Sequence, residues 1–422
     1  LLSPITHHLS LLSGPMLYRN LLTKALEDKR EDFTSFDRAW REDVREMARR
    51  LRLLGQQTSD GIRQETTSAM KAGALPSSEL DDRASMVAPF AERWHSHEEA
   101  RRWAIEVLHE RVTFAVDGSQ LLPGREISLP VAAVQVAWFE NPHTREGRYF
   151  KDADFSIISP SELLETSDGR INAETVVSFR RFQLEVEALC KFLEKKSGWR
   201  ARNERTPVAF FDGSLTYLIA FALPKTEIQE RYREAIVRLI RLSRETEVPV
   251  VGFIDQSYAR DLVWLLEALS PQPSASKSRS LYDAQLLRAA FTDESPLLAA
   301  WGDRTVFCYH LLDKMSDRLL DEKHDSLIGF VYLQTTGDGP PARLDLPSWI
   351  YEAGLLDDVV DAVRAECVGG LGYPYAIETA DEAAVITAHD RAQFLRALQD
   401  FAEKESFVFR VSRKAASKVR RR

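Results

Sequence analysis

Two copies of Asp-Gly-Ser, each after an apolar and β-rich stretch, are the residues best suited to chemistry in this chain. The first copy lies in residues 114–120 and the second in residues 208–215. Apolar runs of this length between turn signals predict strands that are buried on both faces. Ligands of open α/β sheets bind beyond the carboxyl ends of the strands, so we expect Asp117 and Asp212 to project where a ligand can reach them.

This pair of aspartates predicts a metal site. Two carboxylates at short range do not both ionise cheaply unless a cation lies between them. Hard divalent ions such as Mg²⁺ and Mn²⁺ prefer carboxylate oxygens. Asp-Gly-Ser is also ordinary turn chemistry, and a single copy would favour that interpretation. The second copy, after a second buried strand, favours the metal site.

The composition is that of a globular protein without a membrane span. Hydrophobic residues make up 44% and charged residues 28% of the 422 residues, which is typical of soluble domains. No apolar run reaches the roughly 20 residues that a membrane helix needs, and residues 1–13 lack the features of a signal peptide. The cysteines Cys190, Cys308 and Cys367 lack Cys-x-x-Cys spacing. We therefore expect a cytoplasmic protein with no membrane partner and no zinc site.

The formal net charge of -8 weighs against a nucleic-acid partner, because proteins that neutralise phosphates usually carry a basic surface. A cluster of metal-binding carboxylates and an acidic extension would account for part of this charge. Charge alone leaves the partner open.

Residues 1–111 are predicted to form a helical extension before the main domain. Apolar residues recur at three- and four-residue steps over residues 33–54, which predicts an amphipathic helix that ends at Gly55. We expect this helix to pack on its own domain, with a dimer helix as the alternative. The polar residues 56–85 are typical of a flexible or weakly helical connector. A capping-box pattern at Ser96 predicts a second helix.

The main domain, residues 112–409, is predicted to be of the α/β class. Three β-rich stretches come first and indicate an antiparallel meander that includes the strand of Asp117. A helix, the strand of Asp212, another helix and a third buried strand follow, and this order describes a mixed sheet with helices on its faces. The predicted strands are 112–117, 126–139, 149–158, 208–212 and 248–254, and the first helix is 171–194.

The predicted helix 171–194 supplies a third carboxylate. On its helical wheel Glu185 lies roughly 75° from the centre of the buried stripe, whereas Glu187 lies roughly 125° away. Glu185 is therefore the one that can reach the edge of the sheet. The alternative is a solvated Glu185 paired with Arg181 one turn earlier.

Later stretches could contact phosphates. Residues 369–378 contain three glycines and predict an ordered loop that leads into a helix starting near Ala380, but without Walker spacing we expect no nucleoside triphosphate site. Arg260 follows the third strand and is a phosphate clamp or an ordinary exposed arginine. The basic tail, residues 410–422, is expected to be disordered, and either to touch phosphates or to solubilise the chain.

The order of these motifs resembles that of the NurA family of DNA repair nucleases. Over about residues 112–401, the shared features are an Asp-Gly-Ser strand, an Arg-x-x-x-Glu helix, a second Asp-Gly-Ser-Leu strand and a late Gly-Tyr-Pro before a helix. The resemblance implies an RNase H-like core. It also implies a symmetric dimer whose channel admits DNA strands, docked on the hexameric ATPase HerA during the processing of broken DNA ends.

By position, the resemblance assigns Asp117, Glu185 and Asp212 as metal ligands and Tyr373 as an active-site tyrosine. The family's late Ala-His reads Ala-Asp here, so the carboxylate of Asp381 replaces an imidazole. An aspartate can still bind Mn²⁺ or Mg²⁺ and favours oxygen-loving ions, whereas a proton-carrying role at this position is left open.

Two family positions keep alternatives open. Arg343 begins a stretch of the form Arg-x-acid-x-Pro that matches the family, and we expect it to be structural or to contact DNA. Tyr373 either orients the nucleophilic water or the scissile phosphate, or is a core aromatic residue beside Pro374.

The expected activity is phosphodiester hydrolysis with two Mn²⁺ or Mg²⁺ ions. Two metals about 4 Å apart can stabilise the attacking and leaving oxygens and generate hydroxide from bound water. The resemblance implies a 5′ to 3′ exonuclease on single- and double-stranded DNA ends and leaves nicking of single-stranded DNA open. The alternatives are a non-catalytic adaptor of the HerA ring and an RNase H-like hydrolase of RNA or hybrids, since a two-metal site does not choose between sugars.

Overall fold

One mixed sheet organises the part of the chain that can be described. The computed structural model describes residues 18–66, 72–124, 127–164, 172–216, 227–270, 281–289, 295–311 and 327–410. Within these ranges eleven strands form a single sheet with helices on both faces, which confirms the predicted α/β class. The predicted basic tail beyond Arg410 lies outside the described residues.

Within the described ranges the chain forms eleven strands and fourteen helices. The strands are β1 (Ala74–Pro76), β2 (Val87–Ala88), β3 (Thr113–Leu121), β4 (Ala132–Asn141), β5 (Phe150–Ile158), β6 (Val208–Asp212), β7 (Val250–Ile254), β8 (Arg304–Thr305), β9 (Cys308–His310), β10 (Ile328–Leu333) and β11 (Ala342–Pro347). The described helices are α1 (Arg19–Glu27), α2 (Arg30–Leu54), α3 (Ser59–Thr66), α4 (Glu79–Arg83), α5 (His97–Leu108), α6 (Pro160–Leu164), α7 (Ala173–Lys196), α8 (Glu227–Thr246), α9 (Asp261–Ala268), α10 (Asp283–Arg288), α11 (Ser348–Glu352), α12 (Leu356–Gly369), α13 (Tyr375–Ala384) and α14 (Ala388–Lys404).

The centre of the sheet has the strand order β5-β4-β3-β6-β7. The meander of β3, β4 and β5 is antiparallel, as predicted, while β6 and β7 run parallel to β3. A three-stranded meander joined to two parallel strands is the arrangement of the RNase H fold, so the RNase H-like mixed sheet is confirmed. Beyond β7 the sheet continues through β11, β10, β9 and β1, each antiparallel to the strand before it.

The N-terminal region is part of this sheet. The predicted connector at residues 56–85 contains α3, β1 and α4, so the expectation of a flexible or weakly helical segment is wrong. β1 pairs with β9, and Ala74 and Leu75 are buried there. The prediction failed because the pairing partner of β1 lies more than two hundred residues further along the chain, where a local reading of polarity cannot find it.

Helix α2 packs on its own domain along its second half. Its residues Val44, Met47, Leu51 and Leu54 are buried in an apolar cluster with α9 and α10, which fits the first of the two predicted packings. α5 begins as predicted, because the Ser96 hydroxyl accepts a hydrogen bond from the Glu99 amide at 3.2 Å.

Two apolar clusters pack helices against the two faces of the central sheet. α7 and α8 cover one face through residues such as Phe182 and Ile236, and α12 and α13 cover the other through residues such as Val359 and Ala380. Each fully buried large apolar side chain contributes about 1.5–3 kcal/mol. Among the described helices, none is long and apolar enough to cross a membrane.

Two late elements differ from the prediction. β11 is a strand that was not predicted, although Ala342, Leu344 and Leu346 alternate along it. α13 begins at Tyr375, five residues before the predicted start at Ala380. The earlier start is stabilised by the carboxylate of Glu366 on α12, which accepts a hydrogen bond from the Ala376 amide at 2.9 Å.

Candidate active site

Asp117 and Asp212 lie side by side on neighbouring parallel strands. The pairing of β3 with β6 runs in register up to Val116 opposite Phe211, and the two aspartates are the next residue on each strand. Neighbouring strands lie about 4.8 Å apart. The register therefore brings the two carboxylates within reach of a shared ligand.

The two Asp-Gly-Ser copies differ in structure. Asp212 is the last residue of β6 and Gly213 has a φ of +143°, a backbone conformation that favours glycine. Asp117, in contrast, lies inside β3, which continues to Leu121 in pairing with β4. The expectation that Asp117 ends its strand and that Gly118 forms a turn is therefore wrong, because β4 keeps pairing with β3 where β6 stops.

Gly118 makes room for the third carboxylate. A Cβ atom on Gly118 would lie 2.7 Å from Glu185 Oε1 and 2.7 Å from Arg181 Cγ, so any other residue here would displace the side chains of Glu185 and Arg181. α7 therefore approaches β3 so closely that Glu185 lies over the backbone beside Asp117. The sequence pattern contained this glycine, but its function as a space for a carboxylate comes from the packing of α7 on the sheet.

Glu185 is buried and reaches the site, as the helical wheel predicted. Burial raises its pKa to about 8, with smaller contributions from the carboxylates of Asp117 and Asp212 and against the opposing charge of Arg181. Its Oε1 lies 3.5 Å from Nε of Arg181, whose Nη1 donates a hydrogen bond to the Gly118 carbonyl at 3.1 Å. Glu185 thus faces the sheet edge and also contacts the arginine one turn earlier.

The pKa values of Asp117 and Asp212 are raised as well. Loss of hydration, with the nearby carboxylates of Asp212 and Asp381, raises the pKa of Asp117 to about 6. Loss of hydration also raises the pKa of Asp212, with further repulsion from Asp381 and Asp255. Carboxylates that repel one another in this way favour a cation between them.

Asp381 reaches the site from α13, within hydrogen-bonding reach of Asp117. An Ala-His pair does occur later in the chain, at Ala388 and His389, but it lies on α14. There the His389 ring contacts the Gln393 amide at 2.9 Å. The position of Asp381 beside Asp117 supports the alignment in which a carboxylate replaces the imidazole.

Tyr373 contacts the site through both its ring and its hydroxyl. The hydroxyl donates a hydrogen bond to Asp212 Oδ1 at 2.8 Å. The ring packs edge-on against Phe253 of β7 with 5.2 Å between centroids. Burial and the neighbouring Asp212 raise the pKa of Tyr373 well above its usual value, so the hydroxyl remains a donor at neutral pH. The ring contact fits the packing interpretation, and a function in orienting the water or the phosphate stays a prediction.

The donor set fits a hard divalent ion. Its side chains offer carboxylate oxygens, from Asp117, Glu185, Asp212 and Asp381, and such oxygens suit Mg²⁺ or Mn²⁺. Within the described ranges, however, no three acidic, histidine or cysteine side chains are already grouped closely enough to hold an ion. The fit therefore rests on donor chemistry and on the raised pKa values of three carboxyl groups, and not on a preformed cage.

The two candidate DNA-binding arginines have different surroundings. Arg343 is only 2% exposed and forms ion pairs with Asp345 and Asp261 in the core, which favours its structural interpretation over a DNA contact. Arg260 precedes α9 near the carboxyl end of β7, where it pairs with Glu267 at 3.4 Å. Its function as a phosphate clamp stays a prediction.

The acidic residue of the Arg-x-acid-x-Pro stretch, which was expected to be structural or to contact DNA, holds the loop after Asp212. Asp345 on β11 is fully buried, and its Oδ2 accepts hydrogen bonds from the Ser214 hydroxyl at 2.6 Å and from the Leu215 amide at 3.0 Å. Its Oδ1 accepts one from Arg343 Nε at 2.7 Å. The serine of the second Asp-Gly-Ser therefore anchors the loop to the sheet.

Asp255 directly follows the predicted third strand, 248–254, but was not included among the predicted site residues. It acts on Asp212 and Tyr373 electrostatically, so it lies at the same edge of the sheet. The signal was present in the sequence, because an aspartate also ends this buried strand.

A comparison with known protein families identifies the chain. A model described as the NurA domain matches residues 111–386, which is more than half of the sequence. The chain belongs to the NurA family. The match starts one residue before the predicted domain boundary and contains the five positions that the NurA resemblance assigned to the site. No curated protein matched the sequence.

Solved structures of NurA are among the structural matches. A crystal structure of NurA with manganese has 10% sequence identity and a TM-score of 0.43, covering 88% of this chain and 98% of that chain. One of NurA bound to dAMP and manganese has 12% identity and a TM-score of 0.39, covering 89% and 97%. Endonuclease V from Bacillus subtilis has 11% identity and a TM-score of 0.30, covering 70% and 83%. Matches this distant carry no argument about individual residues.

Proposed function

We propose that this NurA family nuclease is a deoxyribonuclease that depends on Mn²⁺ or Mg²⁺ and uses two ions. The observation that carries the proposal is the convergence of carboxylates from β3, β6 and α7 at one edge of the sheet, with raised pKa values. Family membership supports a 5′ to 3′ exonuclease on DNA ends, with nicking of single-stranded DNA as a second activity to be tested. It also supports a homodimer that works with HerA in end resection.

The chain's own residues have distinct functions in this proposal. Asp117, Glu185, Asp212 and Asp381 would hold the ions, which supply charge neutralisation at the phosphate and an activated water when bound. Tyr373 fixes the orientation of Asp212 through its 2.8 Å hydrogen bond.

Arg181 limits the repulsion among the carboxylates, because it lowers the pKa of Glu185 and Asp212. Three buried free cysteines fit a protein of the reducing cytoplasm.

The test compares substrates and ions in one assay. Pure protein is incubated with labelled single-stranded DNA, duplex DNA and an RNA–DNA hybrid, in Mn²⁺ or in chelator. We expect DNA to be shortened only with the ion, and labels at the 5′ or 3′ end to report the polarity. Absence of cleavage on every substrate would indicate an adaptor, and cleavage of the hybrid alone would indicate an RNase H-like hydrolase.

Variants connect the cleavage to the site. Asp117→Asn and Asp212→Asn should each lower the rate by about 100-fold or more, because removing one charge-stabilising group typically costs that much. Asp152→Asn is the matched control, since Asp152 is exposed on β5 of the same sheet. Circular dichroism should show all three variants folded. Full activity in the Asp117 and Asp212 variants would contradict the assignment.

A further inference from the structure

A cavity of about 320 Å³ opens beyond the carboxyl end of β7. We call it the β7 cavity, and its lining includes Gln256, Tyr258, Tyr282, Gln285, Arg288 and Pro340. The volume is at the lower end of the range of small-molecule sites, so it suits one small group. None of the residues that line it belongs to the carboxylate set described above.

The β7 cavity adjoins the candidate active site. β7 pairs in parallel with β6, so its carboxyl end lies at the edge where Asp117 and Asp212 project. Asp255 leaves β7 at this edge and acts on Asp212 and Tyr373. Tyr258 follows three residues later, so its Cα lies at most about 11 Å from that of Asp255. A nucleotide next to the scissile phosphate on the same DNA strand can span this distance.

Two aromatic rings give the cavity a stacking surface. Tyr258 is 70% exposed, so this large ring contributes little to the core. It meets the ring of Tyr282 edge-on, with 5.1 Å between centroids and 78° between planes. Tyrosine rings with an exposed face are the platforms on which single-stranded nucleic acids stack their bases. The amide of Gln256 adds a donor and an acceptor to the lining, and Gln285, whose Oε1 accepts a hydrogen bond from the Tyr282 amide at 3.0 Å, adds a donor.

The charge of the cavity favours a base over a phosphate. Arg288 is the one cationic side chain among the described residues of its lining. The Arg288 guanidinium already donates hydrogen bonds to the backbone carbonyls of Leu298 and Gly337, which leaves it poorly placed to clamp an anion. A neutral planar group between a tyrosine face and amide side chains fits this environment better.

We propose that the β7 cavity holds one unpaired nucleobase of the strand whose phosphate lies at the carboxylates, stacked on Tyr258. This deepens the proposed nuclease function and rests on it. The subsite selects single-stranded DNA, because a base must leave its partner in order to enter. It accepts any base, because stacking does not depend on sequence.

The test measures binding separately from cleavage. In an Asp117→Asn background with Mg²⁺, fluorescence anisotropy gives the Kd of a short labelled single strand. Tyr258→Ala should weaken binding by about 5- to 150-fold, the usual cost of losing one base-stacking ring. Tyr258→Phe keeps the ring and should bind like the parent. Tyr149→Ala is the matched control and should bind like the parent. Tyr149 is 58% exposed near the start of β5, on the side of the sheet opposite to the carboxyl ends of β6 and β7.

Strands with one abasic position identify the base that is bound. As the abasic position is moved along the DNA strand, one position should weaken binding to the parent as much as Tyr258→Ala does. At that position the missing base should not weaken binding to the Tyr258→Ala protein. Equal binding by Tyr258→Ala and the parent, equal weakening by Tyr149→Ala, or no binding by the parent would each overturn the proposal. Failure of the nuclease proposal would appear instead as intact binding without cleavage by the unmodified chain.

Discussion

At the scale of single residues, the site depends on carboxylates that lie close enough to disturb one another. Glu185 is placed over the bare backbone of Gly118, beside Asp117 and close to Asp212. Without a cation among them, these carboxyl groups keep their protons to a higher pH than usual, which removes part of the negative charge. The same repulsion is what a divalent ion would relieve, so the stability of the metal-free protein should report on the site.

The first prediction concerns the pH dependence of stability in chelator. The pKa of Glu185 is about 8 in the folded chain, against its usual value of 4.5. Between these values the unfolded chain releases the proton and the folded chain keeps it, so the free energy of unfolding falls as pH rises. Glu185→Gln removes this titration and should flatten the decline, as measured by urea unfolding from pH 5 to 8.5.

Glu187→Gln is the matched control for this measurement. Glu187 lies on the same helix, but the helical wheel predicts that it points away from the sheet edge, and it lines a separate cavity between α7 and β4. Its substitution should leave the pH dependence as in the unmodified chain. A decline that is equally steep in Glu185→Gln and the unmodified chain would contradict the placement of Glu185.

At the scale of elements, β11 stabilises the end of β6. Asp345 holds the loop of Ser214 and is itself held by Arg343, which also pairs with Asp261. Although burial opposes it, Arg343 together with His310 holds the pKa of Asp261 below its usual range. A buried arginine between two carboxylates therefore connects α9, β11 and the loop that follows Asp212.

The second prediction tests this connection. Arg343→Ala should lower the free energy of unfolding by about 3–5 kcal/mol, because it leaves two carboxylates buried without their partner. Urea denaturation at neutral pH gives the value. Arg41→Ala is the control, since Arg41 forms an exposed pair with Asp37 that is worth only about 0.3–0.5 kcal/mol. A loss below about 1 kcal/mol for Arg343→Ala would mean that its ion pairs add no net stability.

At the scale of the whole molecule, the N-terminal helices divide into two parts. Every residue from Tyr18 to Ala39 is exposed, including the rings of Phe33 and Phe36, whereas one face of α2 is buried from Val44 onward. The exposed part therefore contributes little to the core. The buried part belongs to it, although both lie in what the sequence indicated to be an extension.

The third prediction follows from this division. A chain that begins at residue 40 should keep the thermal and urea unfolding of the full chain, because every described residue that is lost, from 18 to 39, is exposed. A chain that begins at residue 55 loses Val44, Met47, Leu51 and Leu54 from the core and should be less stable by about 6 kcal/mol or more. Similar stability of the two truncated chains would show that α2 does not stabilise the fold.

The sequence by itself determined the strand and helix order of the central sheet, the pairing of Asp117 with Asp212, and the choice of Glu185 over Glu187. These follow from periodicity and from residues adjacent in the chain, which are local properties. The family could also be predicted, because its motifs occur in a fixed order along the chain.

Only the tertiary structure decided the rest. That Asp117 lies inside a strand, that Gly118 makes space for Glu185, and that Asp381 meets Asp117 all depend on packing between segments far apart in the chain. The same holds for β1 and β11, whose strand partners are distant or were not recognised. A short strand is stabilised by its neighbours more than by its own residues, so its sequence carries little signal until the sheet is assembled.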